Sequence, residues 1–211
     1  MVKNKGKNLS IWIVSIVIAL IIIGLVFYWL KFSMNNYNYQ GANGEYKIIK
    51  SKIGNVEFYH TSVFVDEHEY IYTFRNHPED LEDVSLEPGL IAKLNRPRGL
   101  MGIYVTQDVD LANKTDTNSV LAIASFEQVL TGDASLYKTA VVNTYTTNFE
   151  GRYLPINCNN VSNIAAVIYV KVGEQSRVYS QGDCIVIEGR GSDGIVRAGE
   201  KFAYSLLGIF R

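Results

Sequence analysis

The segment "CIVIEGRGSDGIVRAGEKFAYSLL" (184–207) runs from an apolar stretch into a pattern with helical spacing. Its first residues, Cys184 to Glu188, are mostly apolar and β-branched, which predicts a buried strand. Several apolar side chains then fall close to one stripe of a helix that ends near Gly208: Ile195, Phe202, Ala203, Leu206 and Leu207. Because a strand leads directly into a packing helix, the segment indicates a fold that contains both element types.

The glycines of this segment, Gly189, Gly191 and Gly194, have the G-x-G-x-x-G spacing of dinucleotide-binding folds. In those folds a second strand follows the helix, and an acidic residue about 20 positions further on binds the ribose. The helix occupies nearly all of the sequence after Gly194, so we expect no returning strand. We therefore predict a glycine-rich turn into a packing helix, and no bound cofactor.

Strand-like runs dominate the sequence upstream of the helix. "IAAVIYVKV", "SRVYS" and "CIVIE" are joined only by "GEQ" and "QGD", which predicts an antiparallel meander. "NVEFYHTSVFV" (55–65), "EYIYTFR" (69–75) and "MGIYVTQ" (101–107) are also typical of strands. "SVLAIASFEQVL" (119–130) predicts a helix, and Pro78 suits the first turn of a shorter one.

The amino-terminal stretch "NLSIWIVSIVIALIIIGLVFYWL" (8–30) contains no charged side chain. A helix of about 20 residues, rising about 1.5 Å per residue, crosses a hydrocarbon core of about 30 Å. The stretch ends on bulky aromatic residues instead of the small residues of a signal-peptide cleavage site. We therefore predict an uncleaved transmembrane signal anchor over residues 8–31.

The distribution of charge predicts the orientation of this anchor. Lys3, Lys5 and Lys7 precede it, and excess Lys and Arg stay on the cytoplasmic side of a membrane. Residues 1–7 then form a cytoplasmic basic segment, and the carboxy-terminal part lies outside the cell membrane. All 21 acidic residues follow the anchor, so the outer part is mildly acidic, which argues against a nucleic-acid partner.

These features define the expected architecture as α+β. An N-terminal transmembrane helix is followed by an Asn- and Gly-rich juxtamembrane linker at 32–44. Residues 45–211 then form one extracytoplasmic domain built on a mixed or antiparallel β-sheet. Two or three packed helices and a C-terminal helix complete it.

The two cysteines, Cys158 and Cys184, both lie in the outer part. In an oxidising exterior they can form a disulfide, which contributes about 3–4 kcal/mol to stability for a loop of this length. Two unrelated buried thiols are the alternative. Asn113 and Asn160 begin N-x-Ser/Thr sequons, which makes both possible glycosylation sites on that side of the membrane.

No catalytic or metal-binding constellation emerges from the sequence. His60, His68 and His77 lack the spacing of paired ligands on a helix. A calcium loop counted from Asp108 fails, because its sixth position is Asn113 and its twelfth is not Glu. The Gly-x-Ser-x-Gly nucleophile motif does not occur either. We predict no catalytic, cofactor-binding or metal-binding residue.

Several segments occur together in a recognisable order: the N-terminal anchor, "YTFRNHPEDLEDV", "GIYVTQD", "NSVLAIASFEQVL" and the tail from "VIYVKVGEQSRVYS" to "AGEKFAYSLLGIF". The chain resembles a group of small, uncharacterised single-pass membrane proteins of archaea, over most of residues 56–210. The resemblance implies an outward domain with a Cys158–Cys184 bridge. It carries no activity over to this chain.

Three functions are compatible with these features. The first is a non-catalytic domain, anchored in the lipid bilayer, that binds another envelope or cell-surface protein without an identified small-molecule ligand. The second is a pilin-like filament subunit processed near Gly6, since Lys5-Gly6 before an apolar helix resembles a prepilin cleavage site. The third is an envelope hydrolase, which requires a deep pocket with convergent polar groups.

Overall fold

The computed structural model describes residues 5–33, 35–65, 67–96, 98–108, 117–132, 135–148, 151 and 154–211. The chain divides into two units, Met1–Tyr37 and Asn38–Arg211. Helix α1, Lys5–Ser33, accounts for most of the first unit. Its side chains from Trp12 to Trp29 are all exposed and apolar enough for the helix to cross a membrane or to serve as a signal sequence.

The first sheet, sheet A, has four strands in sequential order. They are β1 Asn36–Gly41, β2 Gly44–Ile53, β3 Val56–Val65 and β4 His68–Phe74. Short turns join neighbouring strands, and β2, β3 and β4 pair antiparallel. The strands predicted at 55–65 and 69–75 are confirmed. Their side chains alternate between two faces of the sheet, so that Tyr72 and Phe74 are buried while Ile71 is exposed.

Strand β1 lies within the segment predicted to be a linker, residues 32–44. Its Tyr39 is buried and packs edge-on against the rings of His77 and Phe210, with centroid distances of 6.1 and 5.9 Å. The Asn and Gly content of the segment favoured a juxtamembrane linker. Burial of one aromatic side chain outweighs that local preference, since it contributes about 1.5–3 kcal/mol.

The second sheet, sheet B, has six strands in the order β5-β9-β10-β8-β6-β7. They are β5 Ser85–Leu86, β6 Gly102–Gln107, β7 Ala140–Tyr145, β8 Ala165–Gly173, β9 Arg177–Gln181 and β10 Cys184–Arg190. The sheet is mixed. β7, β6, β8 and β10 run parallel to one another, β9 runs antiparallel to β10, and β5 is parallel to β9.

The predicted antiparallel meander is correct for β9 and β10, which pair antiparallel, but wrong for β8 and β9, which do not pair. β10 is parallel to β8 and lies between β8 and β9. Strands two places apart in a sheet are separated by about 10 Å, and an extended chain covers about 3.3–3.6 Å per residue. The short connection at 174–176 therefore suffices to pass over one strand position, and loop length alone did not determine which strands pair.

Among the described residues, the second unit contains helices α2, Thr117–Leu130, and α3, Gly191–Leu206, together with three short 3-10 turns. The helix predicted at 119–130 and the C-terminal helix are confirmed. The first 3-10 turn, Pro78–Leu81, begins at Pro78 as expected. The fold is α+β, as predicted, with its strands divided between two sheets.

Helix α3 is the centre of the core. Its Tyr204 ring packs against Phe74 of sheet A at 4.1 Å, and its Phe202 ring packs edge-on against Phe126 of α2 at 5.6 Å. It also packs against β10 of sheet B, where Ile195 of its first turns lies close to Gly189. Because neighbours surround it, nearly every residue from Gly194 onward is buried, including the polar residues of the helix.

Candidate functional site

The predicted disulfide between Cys158 and Cys184 is present, with Cα atoms 5.2 Å apart. It joins the 3-10 turn at 158–160 to the first residue of β10. The segment before this turn is also held to sheet B by two hydroxyl groups. Thr106 donates to the carbonyl of Ile156 at 2.7 Å, and Thr144 donates to that of Leu154 at 2.9 Å. The disulfide and these two hydrogen bonds therefore hold residues 154–160 against the outward face of sheet B, the face that carries Thr106 and Thr144.

Of the two predicted sequons, the one at Asn113 lies outside the described residues. Asn160 is exposed, and its side-chain oxygen accepts a hydrogen bond from the backbone N–H of Asn157 at 2.8 Å. The sequon at Asn160 therefore begins at the end of a capped turn, two residues from the disulfide.

The glycine motif has a packing explanation at each position. A Cβ atom on Gly189 would lie 2.2 Å from the backbone nitrogen of Ile195, and one on Gly194 would lie 2.5 Å from the hydroxyl of Ser176. Gly191 has φ +68°, a conformation that strains other residues. The motif allows β10 to turn directly into α3 beneath the connection from β8 to β9.

A network of buried polar groups joins α3 to the segment after β4. The carboxyl group of Glu200 accepts hydrogen bonds from the backbone N–H groups of Arg75 and Asn76 at 2.6 and 3.0 Å, and from the Asn76 side chain at 2.6 Å. Tyr204 donates to the Asn76 carbonyl at 3.0 Å, and the Lys201 ammonium donates to the Leu81 carbonyl at 2.9 Å. These contacts position the 75–81 segment on the core.

Burial perturbs both charged groups of this network. Desolvation raises the pKa of Glu200 to about 7, although the hydrogen bonds from Arg75 and Asn76 act in the opposite direction. Desolvation also lowers the pKa of Lys201 to about 8. The Lys201 ammonium lies 3.4 Å from the centroid of the Phe210 ring, a cation–π contact that compensates part of its lost hydration.

A second charged cluster lies on the outward face of sheet B. Glu188 is almost fully buried, and one of its oxygens contacts Arg177 at 3.0 Å, Lys171 at 3.4 Å and the Tyr179 hydroxyl at 3.1 Å. A Cβ atom on Gly173 would lie 2.0 Å from this side chain, so the glycine provides the space that Glu188 occupies. Burial acts to raise the pKa of Glu188, but the hydrogen bonds from Arg177 and Tyr179 outweigh it and the pKa lies below its ordinary value.

A row of three polar side chains crosses the outer face of sheet A. His60 contacts the Ser51 hydroxyl through Nε2 at 2.6 Å and the Thr73 hydroxyl through Nδ1 at 2.9 Å. The arrangement resembles a Ser–His pair, but a hydroxyl takes the position at which hydrolases place a carboxylate. The row lies on a sheet face, and of its three residues Thr73 alone lines the cleft beside α2. Its geometry fits mutual hydrogen bonding better than nucleophilic catalysis.

A cleft with a volume of about 640 Å³ lies at the C-terminal end of α3. Its walls are mainly apolar, with Leu86, Leu90, Ile91, Leu207 and Phe210 among them. The Glu87 carboxylate at its edge is engaged by the N–H and hydroxyl groups of Ser180, both at 2.6 Å. The cleft is therefore a concave apolar surface with few available polar groups.

The three histidines are separated in the structure. His60 belongs to the row on sheet A, His68 is exposed, and His77 is buried next to the ring of Tyr59. Within the described ranges, no group of three or more His, Cys, Asp and Glu side chains is suited to hold a metal ion.

Comparisons with known protein families, with curated proteins and with solved structures gave no match to this chain.

Sequence reasoning missed both charged clusters. Glu200 and Tyr204 are four positions apart, so they share one face of the helix, and Glu200 interrupts an otherwise apolar pattern. Lys171, Arg177 and Glu188 lie on three strands whose pairing brings them together. The helical spacing of Glu200 and Tyr204 could have indicated the Glu200 cluster, whereas the Glu188 cluster could be found only from the order of the strands.

Proposed function

We propose that this chain is a single-pass membrane protein whose disulfide-bearing domain lies outside the cytoplasm and binds another envelope or cell-surface protein without catalysing a reaction. The proposal has three parts: α1 anchors the chain in the membrane, the domain lies outside the cytoplasm, and the domain binds another protein.

The observation that carries the proposal is a disulfide in the same chain as a helix of membrane-spanning length. Disulfides persist in oxidising compartments and are rare in the cytosol. Lys3, Lys5 and Lys7 precede the helix, which favours a cytoplasmic N-terminus. The resemblance to small single-pass membrane proteins of archaea agrees with the same topology.

The polar groups of the domain favour a binding role over catalysis. The carboxylates of Glu188 and Glu200 are each used by three or more donors from the protein itself, and Ser51, His60 and Thr73 hydrogen-bond to one another. The cleft at the C-terminal end of α3 is mainly apolar, and apolar clefts bind the side chains of protein partners.

Topology is tested by treating intact cells with an external protease and detecting a C-terminal tag on the full chain. We expect loss of the tag while a cytosolic marker remains intact. A protected tag, or reduced Cys158 and Cys184 in protein alkylated inside the cells, would contradict the outward topology.

The binding role is tested by photo-crosslinking on intact cells, followed by mass-spectrometric identification. The crosslinking residue replaces Ile91 in the cleft and, as a control, the exposed Val142 of β7. We expect one envelope protein to crosslink from position 91 and not from position 142. Intact-mass measurement of the purified chain distinguishes the filament alternative, because loss of residues 1–6 indicates prepilin-type processing.

A further inference from the structure

The outer face of sheet A is exposed and carries large apolar side chains. Ile49, Ile53, Phe64 and Ile71 have exposed fractions of 42, 71, 68 and 65%. The strand register places Ile49 beside His60, Ile53 beside Val56, Ile71 beside Ser62 and Phe64 beside Glu69. The residues at the alternate positions of these strands, such as Ile48 and Tyr72, point into the core. Apolar groups therefore extend along this face from one hairpin to the other.

The polar residues in the middle of the face are already hydrogen-bonded. The His60 ring contacts the hydroxyl groups of Ser51 and Thr73 at 2.6 and 2.9 Å, across three strands. Moving a polar group out of water costs much less when its hydrogen bonds are made within the protein. The polar row therefore does not prevent this face from entering the headgroup region, where the exposed charges of the same face, Lys47 and Glu69, stay hydrated.

The chain restricts the distance between this sheet and the end of the apolar helix. α1 ends at Ser33, and β1, the first strand of sheet A, begins at Asn36. The two residues between them span about 10 Å at most, since an extended chain advances about 3.3–3.6 Å per residue. Because this tether is short, a bilayer that contains α1 is present at a high effective concentration near the sheet.

We propose that the outer face of sheet A lies on the lipid interface of the membrane that holds α1. This inference rests on the membrane anchoring proposed above. Phe64 and Ile71 at one hairpin and Ile53 at the other enter the boundary between headgroups and acyl chains, where amphipathic surfaces bind. The charged face of sheet B, with Lys171 and Arg177, is expected to remain in water.

The test uses the full chain in lipid nanodiscs that contain spin-labelled phospholipid. Single cysteines replace Phe64, Ile71 or, as a matched control, Val142, which is 52% exposed on sheet B. Each is labelled with an NBD fluorophore while the native cysteines remain disulfide-bonded. We expect at least twofold stronger lipid quenching, with a blue-shifted emission, at positions 64 and 71 than at 142. Equal quenching at the three positions would overturn the proposal.

A charge variant tests whether the apolar groups carry the contact. With NBD at position 53, F64E combined with I71E should reduce lipid quenching at least twofold and leave the melting temperature within about 2 °C, because both side chains are exposed. Unchanged quenching would contradict the role of these side chains.

Two further readouts separate this proposal from other outcomes. If the full chain floats with vesicles at alkaline pH but NBD at position 64 is not quenched, anchoring stands and the lipid contact is wrong. If the chain fails to float, the anchoring proposal itself is wrong. Crosslinking of two labelled copies through position 64 would assign the face to a second copy of this chain and overturn the lipid contact.

Discussion

The buried carboxyl group of Glu200 leads to a specific prediction for the dependence of stability on pH. Its side chain is 1% exposed, and burial raises its pKa from 4.5 to about 7. A raised pKa means that folding favours the protonated form. The stabilisation is therefore complete below pH 4.5, the value in the unfolded chain, and is lost as the pH rises through about 7.

The magnitude follows from the size of the shift. One pKa unit corresponds to about 1.4 kcal/mol, so the full change in the free energy of unfolding is about 3.4 kcal/mol. About 2.5 kcal/mol of this falls between pH 5 and pH 8. His77 acts in the opposite direction below pH 6.5, because burial lowers its pKa and the charged form is disfavoured in the folded state.

The measurement compares the wild-type chain with E200Q, so that His77 and other groups cancel. We expect the Gln variant to be less stable at pH 7, since its amide group faces backbone N–H donors of Arg75 and Asn76. The stability difference between the two proteins should change by about 2.5 kcal/mol between pH 5 and pH 8. Denaturant unfolding of the full chain in detergent micelles measures it. Parallel pH profiles for the two proteins would refute the reasoning.

Three further perturbations test the packing of the domain. C184A should lower the free energy of unfolding of the oxidised protein by about 3 kcal/mol, measured by denaturant unfolding, and the stability of the variant should not depend on reductant. Equal midpoints for the oxidised wild type and the variant would show that the Cys158–Cys184 bridge contributes nothing. G189A should destabilise by about 1–3 kcal/mol or more, because its Cβ would lie 2.2 Å from the Ile195 nitrogen, and a neutral effect on the melting temperature would contradict this packing. F202A should cost about 3–5 kcal/mol in the same assay, and a cost below 1 kcal/mol would show that this side chain is not buried in the core.

The local pattern of the sequence was sufficient for most elements. The strands at 55–65, 69–75 and 101–107 and the helix at 119–130 all had a clear period or composition. β1 did not, because Tyr39 stands among polar residues whose local preference is for a loop. Its strand depends on pairing with β2 and on contacts with His77 and Phe210 from distant parts of the sequence.

The two charged clusters also depend on contacts between residues that are distant in the sequence. A lone Glu in an apolar helix pattern marks Glu200 as unusual, but its partners at 75 and 76 are more than 120 positions away. The Glu188 cluster requires β10 to lie between β8 and β9. A meander would have placed β9 between β8 and β10, and different cations would then reach the Glu188 carboxylate.

The sequence by itself determined the membrane-length helix, the α+β class and the terminal helix after the glycine turn, because hydrophobic period and residue propensity act over a few neighbouring positions. Only the tertiary structure decided the order of sheet B, the use of Tyr39 in the core and the exposure of one apolar face of sheet A. Those features depend on contacts between residues far apart in the chain, and the free energy of such contacts is set by which surfaces the whole fold buries.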